Sequence, residues 1–170
     1  MFHAPPPVTA PPAAAARGPG PAVRLPVVES IAAFGVQVSR QFVQCRREGG
    51  QLALLWVDVE VLATPGSGSY ASEREALIQN VSQRLRNRVR GSDEVVRVGE
   101  HGFAVLLLAA GAPEARLVAQ RLLQALRGTY GVEGRQSQVG VRVGTAIFPE
   151  SGRNGAELAE AARASLATAP

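Results

Sequence analysis

Apolar positions along this chain recur at two different spacings. Val27, Ile31, Phe34, Val38, Phe42 and Cys45 follow one another at three- or four-residue intervals. That spacing predicts one amphipathic helix, ended by Gly49-Gly50. The run "QLALLWVDVEV" is continuously apolar up to Asp58, as expected of a strand buried on both faces. A loop follows at "ATPGSGS". Residues 71–90 return to helical spacing through Ala76, Leu77, Val81, Leu85 and Val89, with Arg84, Arg86, Arg88 and Arg90 on the other face.

Two short apolar runs, "EVVRV" and "FAVLLLA", flank "GEHG" and predict a hairpin. Ala115, Val118, Ala119, Leu122 and Leu126 mark a helix over about residues 113–127. The run "VGVRVGTAIF", closed by Pro149, reads as a strand, and residues 155–167 as a last helix. The order is helix, β, α, β, β, α, β, α. It fits an α/β chain of the α+β sandwich type, close to a split βαβ unit. The expected centre is a mainly antiparallel sheet flanked by helices packed on one face.

Residues 1–24 are rich in Pro and Ala and read as a disordered tail or tether. The folded domain is expected over residues 25–170, and 170 residues suit one domain. A single cysteine excludes an intramolecular disulfide framework. No run of about 18 apolar residues is present, so no membrane span is expected, nor is a signal peptide indicated. The 18 basic residues are all arginine, and the formal charge is +4. Without lysine there is no Schiff-base chemistry. The charge permits an anionic partner, but no aromatic interleaving or reading module points to nucleic acid.

Three segments in this order resemble the GGDEF domain family, the diguanylate cyclases, over about residues 30–168. "LALLWVDVE" resembles the family's first strand with its Asp-x-Asp end. "RGSDEVVRVGEHGF" resembles the Arg-x-x-Asp inhibitory motif followed by the signature hairpin. "VGVRVGTAIFPESG" resembles the late strand. The resemblance implies the nucleotidyl-cyclase-like palm fold. It also implies chemistry in which active members condense two GTP molecules into cyclic di-GMP on bound divalent metal across a dimer.

Measured against that pattern, the catalytic equipment of this chain is reduced. Asp58 matches the first metal-binding aspartate, Val59 the neighbouring carbonyl, and Glu60 the second acid. The signature falls on Gly99, Glu100, His101, Gly102 and Phe103, so both signature acids are replaced. The guanine-pocket asparagine falls on Gly66, its aspartate partner on Glu75, and a phosphate-binding lysine near Ala169. Leu62, Ala63, Tyr70, Ala71 and Arg74 also depart from the family. The resemblance thus implies a degenerate domain with no catalytic residues, no cofactor and only vestigial metal positions at Asp58 and Glu60.

The inhibitory motif is retained at Arg90 and Asp93, and Arg121 falls at the interval of a further family arginine. Arg88 and Arg97 add positive charge. An arginine fork suits guanine N7 and O6 or a phosphate, and a carboxylate suits the guanine N1 and N2 hydrogens. The expected function is therefore a catalytically inactive cyclic di-GMP receptor in the cytoplasm. It would be capable of forming a homodimer and of regulating a protein partner in a bacterial signalling or secretion system. The alternatives are an interaction module without nucleotide binding and a residual cyclase. A plain ion pair between Arg90 and Asp93 is the structural alternative at the site itself. His101 reads as an exposed turn residue, Trp56 and Cys45 as core, and His3 as part of the tail.

Overall fold

The computed structural model describes residues 24–63, 70–132 and 134–166. The tail up to residue 23, the loop containing Gly66, and Ala169 lie outside these described residues.

The elements are β1 (Val27–Val28), α1 (Ile31–Gln37), α2 (Ser39–Glu48), β2 (Leu52–Ala63), α3 (Tyr70–Arg86), β3 (Glu94–Val98), β4 (Gly102–Leu108), α4 (Ala112–Leu126), β5 (Gly128–Val132), β6 (Arg135–Phe148) and α5 (Gly155–Ser165). Among the described residues they form one six-stranded sheet of order β1-β3-β4-β2-β6-β5. Only the β1–β3 pair is parallel.

The unbroken apolar run of β2 is explained by its central place. Ala53, Leu55, Val57 and Val59 face a core built with Leu77, Ile78, Val81 and Leu85 of α3 and Leu122 and Leu126 of α4. Leu52, Leu54 and Trp56 face a second core with Phe34, Phe42, Leu158 and Ala162. The helices therefore cover both faces, not one as expected from the sequence. A central strand apolar on both sides needs a layer against each. Among the described residues no helix is long and apolar enough to cross a membrane.

The first predicted helix is two helices. Val27 pairs with Arg97 in β1, Ser30 caps α1 by accepting from the Ala33 N–H at 3.1 Å, and Val38 separates α1 from α2. The buried stripe of Phe34, Val38, Phe42 and Cys45 nonetheless holds across the break. At α5, a Cβ on Gly155 would lie 2.6 Å from Val38 Cγ2 and 3.1 Å from Gly35 Cα. The absent side chains let α1 and α5 approach closely.

Two further differences matter for function. Helix α3 stops at Arg86, so Arg88 and Arg90 lie in the following turn rather than on a helical face. Arg86 holds that turn by donating to the carbonyls of Asp93 (2.8 Å), Arg90 (3.0 Å) and Gly91 (2.8 Å). Strand β5 was not expected, and β6 starts at Arg135 rather than near Val139. Two glycines within "GTYGV" hide the alternation that buries Tyr130 and Val132.

Candidate functional site

The β3–β4 hairpin divides the candidate residues between its two ends. At the turn end, Gly99 adopts φ +65°, open to glycine at no steric cost. Asp58 on β2 lies opposite both Gly102 on β4 and Arg142 on β6. Cross-strand partners share a sheet face, and Arg142 Nη2 donates to Asp58 Oδ2 at 2.7 Å. A side chain at position 102 would force its neighbours to shift. A Cβ there would lie 2.7 Å from Trp56 Cζ2 and 3.1 Å from the Val98 carbonyl oxygen.

The other polar groups at this end are mostly partnered. Arg74 Nη2 lies 2.8 Å from Nε2 and 3.1 Å from Nδ1 of His101, and Glu100 Oε2 lies 3.6 Å from the same Nε2. Arg97 forks onto Glu75 at 2.9 and 3.3 Å. That bond, with a second from Gln79, holds the Glu75 carboxyl below its ordinary range. Arg135 pairs with Glu73 at 3.3 Å. A hard divalent cation needs convergent oxygen donors. Here Asp58 faces a guanidinium, position 101 offers imidazole, and position 102 offers nothing. Among the described residues no group of three or more His, Cys, Asp or Glu could hold a metal ion. The residues present do not fit the metal that the fold implies.

The opposite end is a corner formed by the α3–β3 turn, the end of β4 and the face of α4. The Asp93 side chain is only 2% exposed. Its Oδ2 accepts from the Arg90 backbone N–H at 3.1 Å and from Arg90 Nε at 3.4 Å. Its Oδ1 accepts from the Leu108 N–H at 3.2 Å and from Arg90 Nη2 at 3.5 Å. A carboxylate has about four acceptor positions, and all four are taken. Asp93 thus ties the turn to β4 and holds Arg90 in place.

Arg90, itself 63% exposed, also donates from Nη2 to the Leu108 carbonyl at 2.8 Å. Beside it opens a cavity of about 250 Å³, bounded by Val89, Arg90, Asp93, Leu117, Val118 and Arg121. Leu117 is an exposed apolar side chain. Arg121 Nη1 donates to the Arg88 carbonyl at 3.4 Å. Two guanidinium groups beside an apolar wall suit an anion, a flat base, or a ligand carrying both.

The structure therefore joins Arg90, Asp93 and Arg121. Arg88 lends its carbonyl, and its side chain does not line the cavity. Arg97 is not part of the cluster. It lies four residues along β3 from Asp93, about 13 Å at the usual strand rise, and serves Glu75. Sequence reasoning missed the brace at Arg86, the wall at Val89 and Leu117, and Arg142. The places of Arg86 and Val89 follow from where α3 ends, and Leu117 comes from the facing side of α4. The last follows from the β2–β6 register, which puts Arg142 beside Asp58.

The family model described as "Diguanylate cyclase, GGDEF domain" matches residues 29–169. The cyclic di-GMP phosphodiesterase NbdA of Pseudomonas aeruginosa is 28% identical over 126 residues, covering 74% of this chain and 16% of that protein. Diguanylate cyclase TpbB of the same organism is 28% identical over 120 residues, covering 69% of this chain and 27% of that protein. The chain spans only a small part of the length of either relative. Among solved structures, the GGDEF domain of TpbB (YfiN) superposes with a TM-score of 0.68 at 25% identity, covering 85% of this chain and 89% of that one. The active GGEEF domain of a diguanylate cyclase from Vibrio cholerae gives a TM-score of 0.66 at 11% identity, covering 83% and 90%, a likeness of fold alone.

Proposed function

Because the chain belongs to the GGDEF domain family, we propose that it acts in cyclic di-GMP signalling by binding the dinucleotide rather than making it. The observation that carries this reading is the cavity between Arg90 and Arg121. Cyclic di-GMP presents two phosphates and two guanines. A guanidinium fork pairs with guanine N7 and O6 or with phosphate oxygens, and the apolar wall at Leu117 stacks the base. A cavity of about 250 Å³ falls short of the roughly 300–1,000 Å³ that encloses a whole small ligand. It admits one base and leaves the remainder outside, where a second copy of the domain can bind it. In this reading Arg90 and Arg121 touch the ligand and Asp93 positions Arg90. The output is a changed contact with a partner protein of a cytoplasmic signalling or secretion system.

Isothermal titration with cyclic di-GMP tests this. Saturable binding is expected, lost in Arg90→Ala, which leaves a folded domain because the side chain is mostly exposed. No binding at about 100 µM protein, a range that resolves Kd values near 1 mM to 1 µM, would leave the interaction-module reading.

The comparisons lean towards a second reading, a residual cyclase. TpbB is named a diguanylate cyclase, and Asp58 and Glu60 keep their places on β2. That reading expects cyclic di-GMP from GTP with magnesium or manganese. A sensitive product assay on folded protein that stays blank removes it.

A further inference from the structure

We infer that Arg142 is a resident cation at Asp58, placed where a divalent ion would bind, and that it makes this end of the sheet metal-independent. The Arg142 guanidinium donates to Asp58 Oδ2 at 2.7 Å across the β2–β6 pair. The partnership belongs to a wider pattern. Elsewhere in the fold, Glu75 early in α3 is hydrogen-bonded by Arg97 at 2.9 Å, and Glu73 lies 3.3 Å from Arg135 as an ion pair. Arg74 lies against His101, the residue standing where the family has an acid. Each of these arginines comes from a different element than its partner. The Asp58 carboxylate already has its cation within the chain.

Two physical consequences follow. An approaching divalent ion meets a fixed positive charge within contact distance of Asp58. The repulsion between a divalent and a monovalent cation is twice that between two unit charges at the same separation. The ion also finds no compensating donor at position 102, because Trp56 fills the space a side chain would need. The oxygens left are those of Asp58, Glu60 and the Val59 carbonyl. They form a weak site that is usable only once the guanidinium is gone. This inference concerns a different end of the hairpin from the Arg90–Arg121 corner and does not depend on dinucleotide binding there.

Manganese uptake followed by electron paramagnetic resonance tests it on the full chain without nucleotide. The wild-type protein is expected to take up no Mn²⁺ at about 1 mM, the weak end of protein sites for hard cations. Arg142→Ser is expected to gain saturable uptake, at least about tenfold tighter than any wild-type signal. Adding Asp58→Asn to Arg142→Ser should abolish that gain. Arg142→Lys keeps a tethered cation and is expected to stay metal-free. Arg142 is 63% exposed, so these variants are expected to keep the native fold, read by circular dichroism. The inference is overturned by wild-type uptake that Asp58→Asn removes, by no gain in Arg142→Ser, by a gain that survives Asp58→Asn, or by equal gain in Arg142→Lys.

Discussion

Replacing Gly102 with alanine probes whether Trp56 occupies the space of the missing acid. The added Cβ would lie 2.7 Å from Trp56 Cζ2, whereas carbon atoms settle at about 3.5–4.0 Å. Relief requires a shift of about 1 Å. Trp56 is 5% exposed and packs in the second core, so the shift disturbs its neighbours. Overpacking of this kind costs about 1–3 kcal/mol. Trp56→Phe removes the offending part of the ring at its own cost. In that background Gly102→Ala is expected to lose most of its penalty. The remaining approach is to the Val98 carbonyl at 3.1 Å.

The assay is a double-mutant cycle of four proteins unfolded in urea. It is followed by far-ultraviolet circular dichroism, because the only tryptophan is itself substituted. The expected coupling between the two positions is about 1 kcal/mol or more. A Gly102→Ala penalty that is the same in both backgrounds, within about 0.5 kcal/mol, would refute the steric reasoning. The functional corollary is that Gly102→Glu alone brings no gain in cyclic di-GMP formed from GTP over the wild-type protein, since the longer acid meets the same indole.

Asp93→Ala is expected to destabilise the domain by about 1–3 kcal/mol in urea unfolding, because it orphans the Leu108 and Arg90 backbone N–H groups. Asp93→Asn should lose less, since its amide keeps one accepting oxygen. Arg97 depresses the Glu75 carboxyl, so their pairing adds stability at pH values above the usual carboxyl value of 4.5 and loses it as the pH falls through the folded-state value. The difference in urea midpoint between wild type and Glu75→Gln should therefore vanish in acid, and a constant difference would refute the pairing. Gly144→Ala should abolish cooperative unfolding, because its Cβ would lie 1.9 Å from the Ala162 carbonyl oxygen where α5 crosses β6.

Period and run length made most of the fold legible in the sequence. The strand "LALLWVDVEV" shows its double burial in its composition, and the "GEHG" turn marks the hairpin directly. The failures share a physical cause, since each depends on tertiary context. Arg88 and Arg90 continue the helical spacing of α3, but Arg86 turns back onto three carbonyls and the helix ends. Glycine in β5 carries no side chain with which to announce a face. The sequence placed Arg97 near Asp93 by proximity along the chain, whereas extended strand geometry carries it to the far end of β3. The meeting of Arg142 with Asp58 requires a β2–β6 register that no local pattern encodes.

Persistence of an arginine–aspartate pair at this corner does not by itself argue for a ligand. Asp93 satisfies backbone donors of two elements, so the fold needs it whether or not anything binds. Arg90 adds one bond to the same corner, from its mostly exposed side chain to the Leu108 carbonyl. Arg121 is different. Among the described residues its hydrogen-bond partner is the Arg88 carbonyl, at a long 3.4 Å, and the residue is exposed. A single exposed bond of that length contributes little to stability. Arg121→Ala therefore separates binding from folding better than either motif residue. If the corner is a dinucleotide site, the substitution leaves the urea midpoint unchanged and weakens cyclic di-GMP binding by about tenfold or more, the effect of losing roughly 1.4 kcal/mol of charged contact. Unchanged affinity in a protein that does bind cyclic di-GMP would place the dinucleotide elsewhere, and would leave the Arg90–Asp93 pair with a purely structural role.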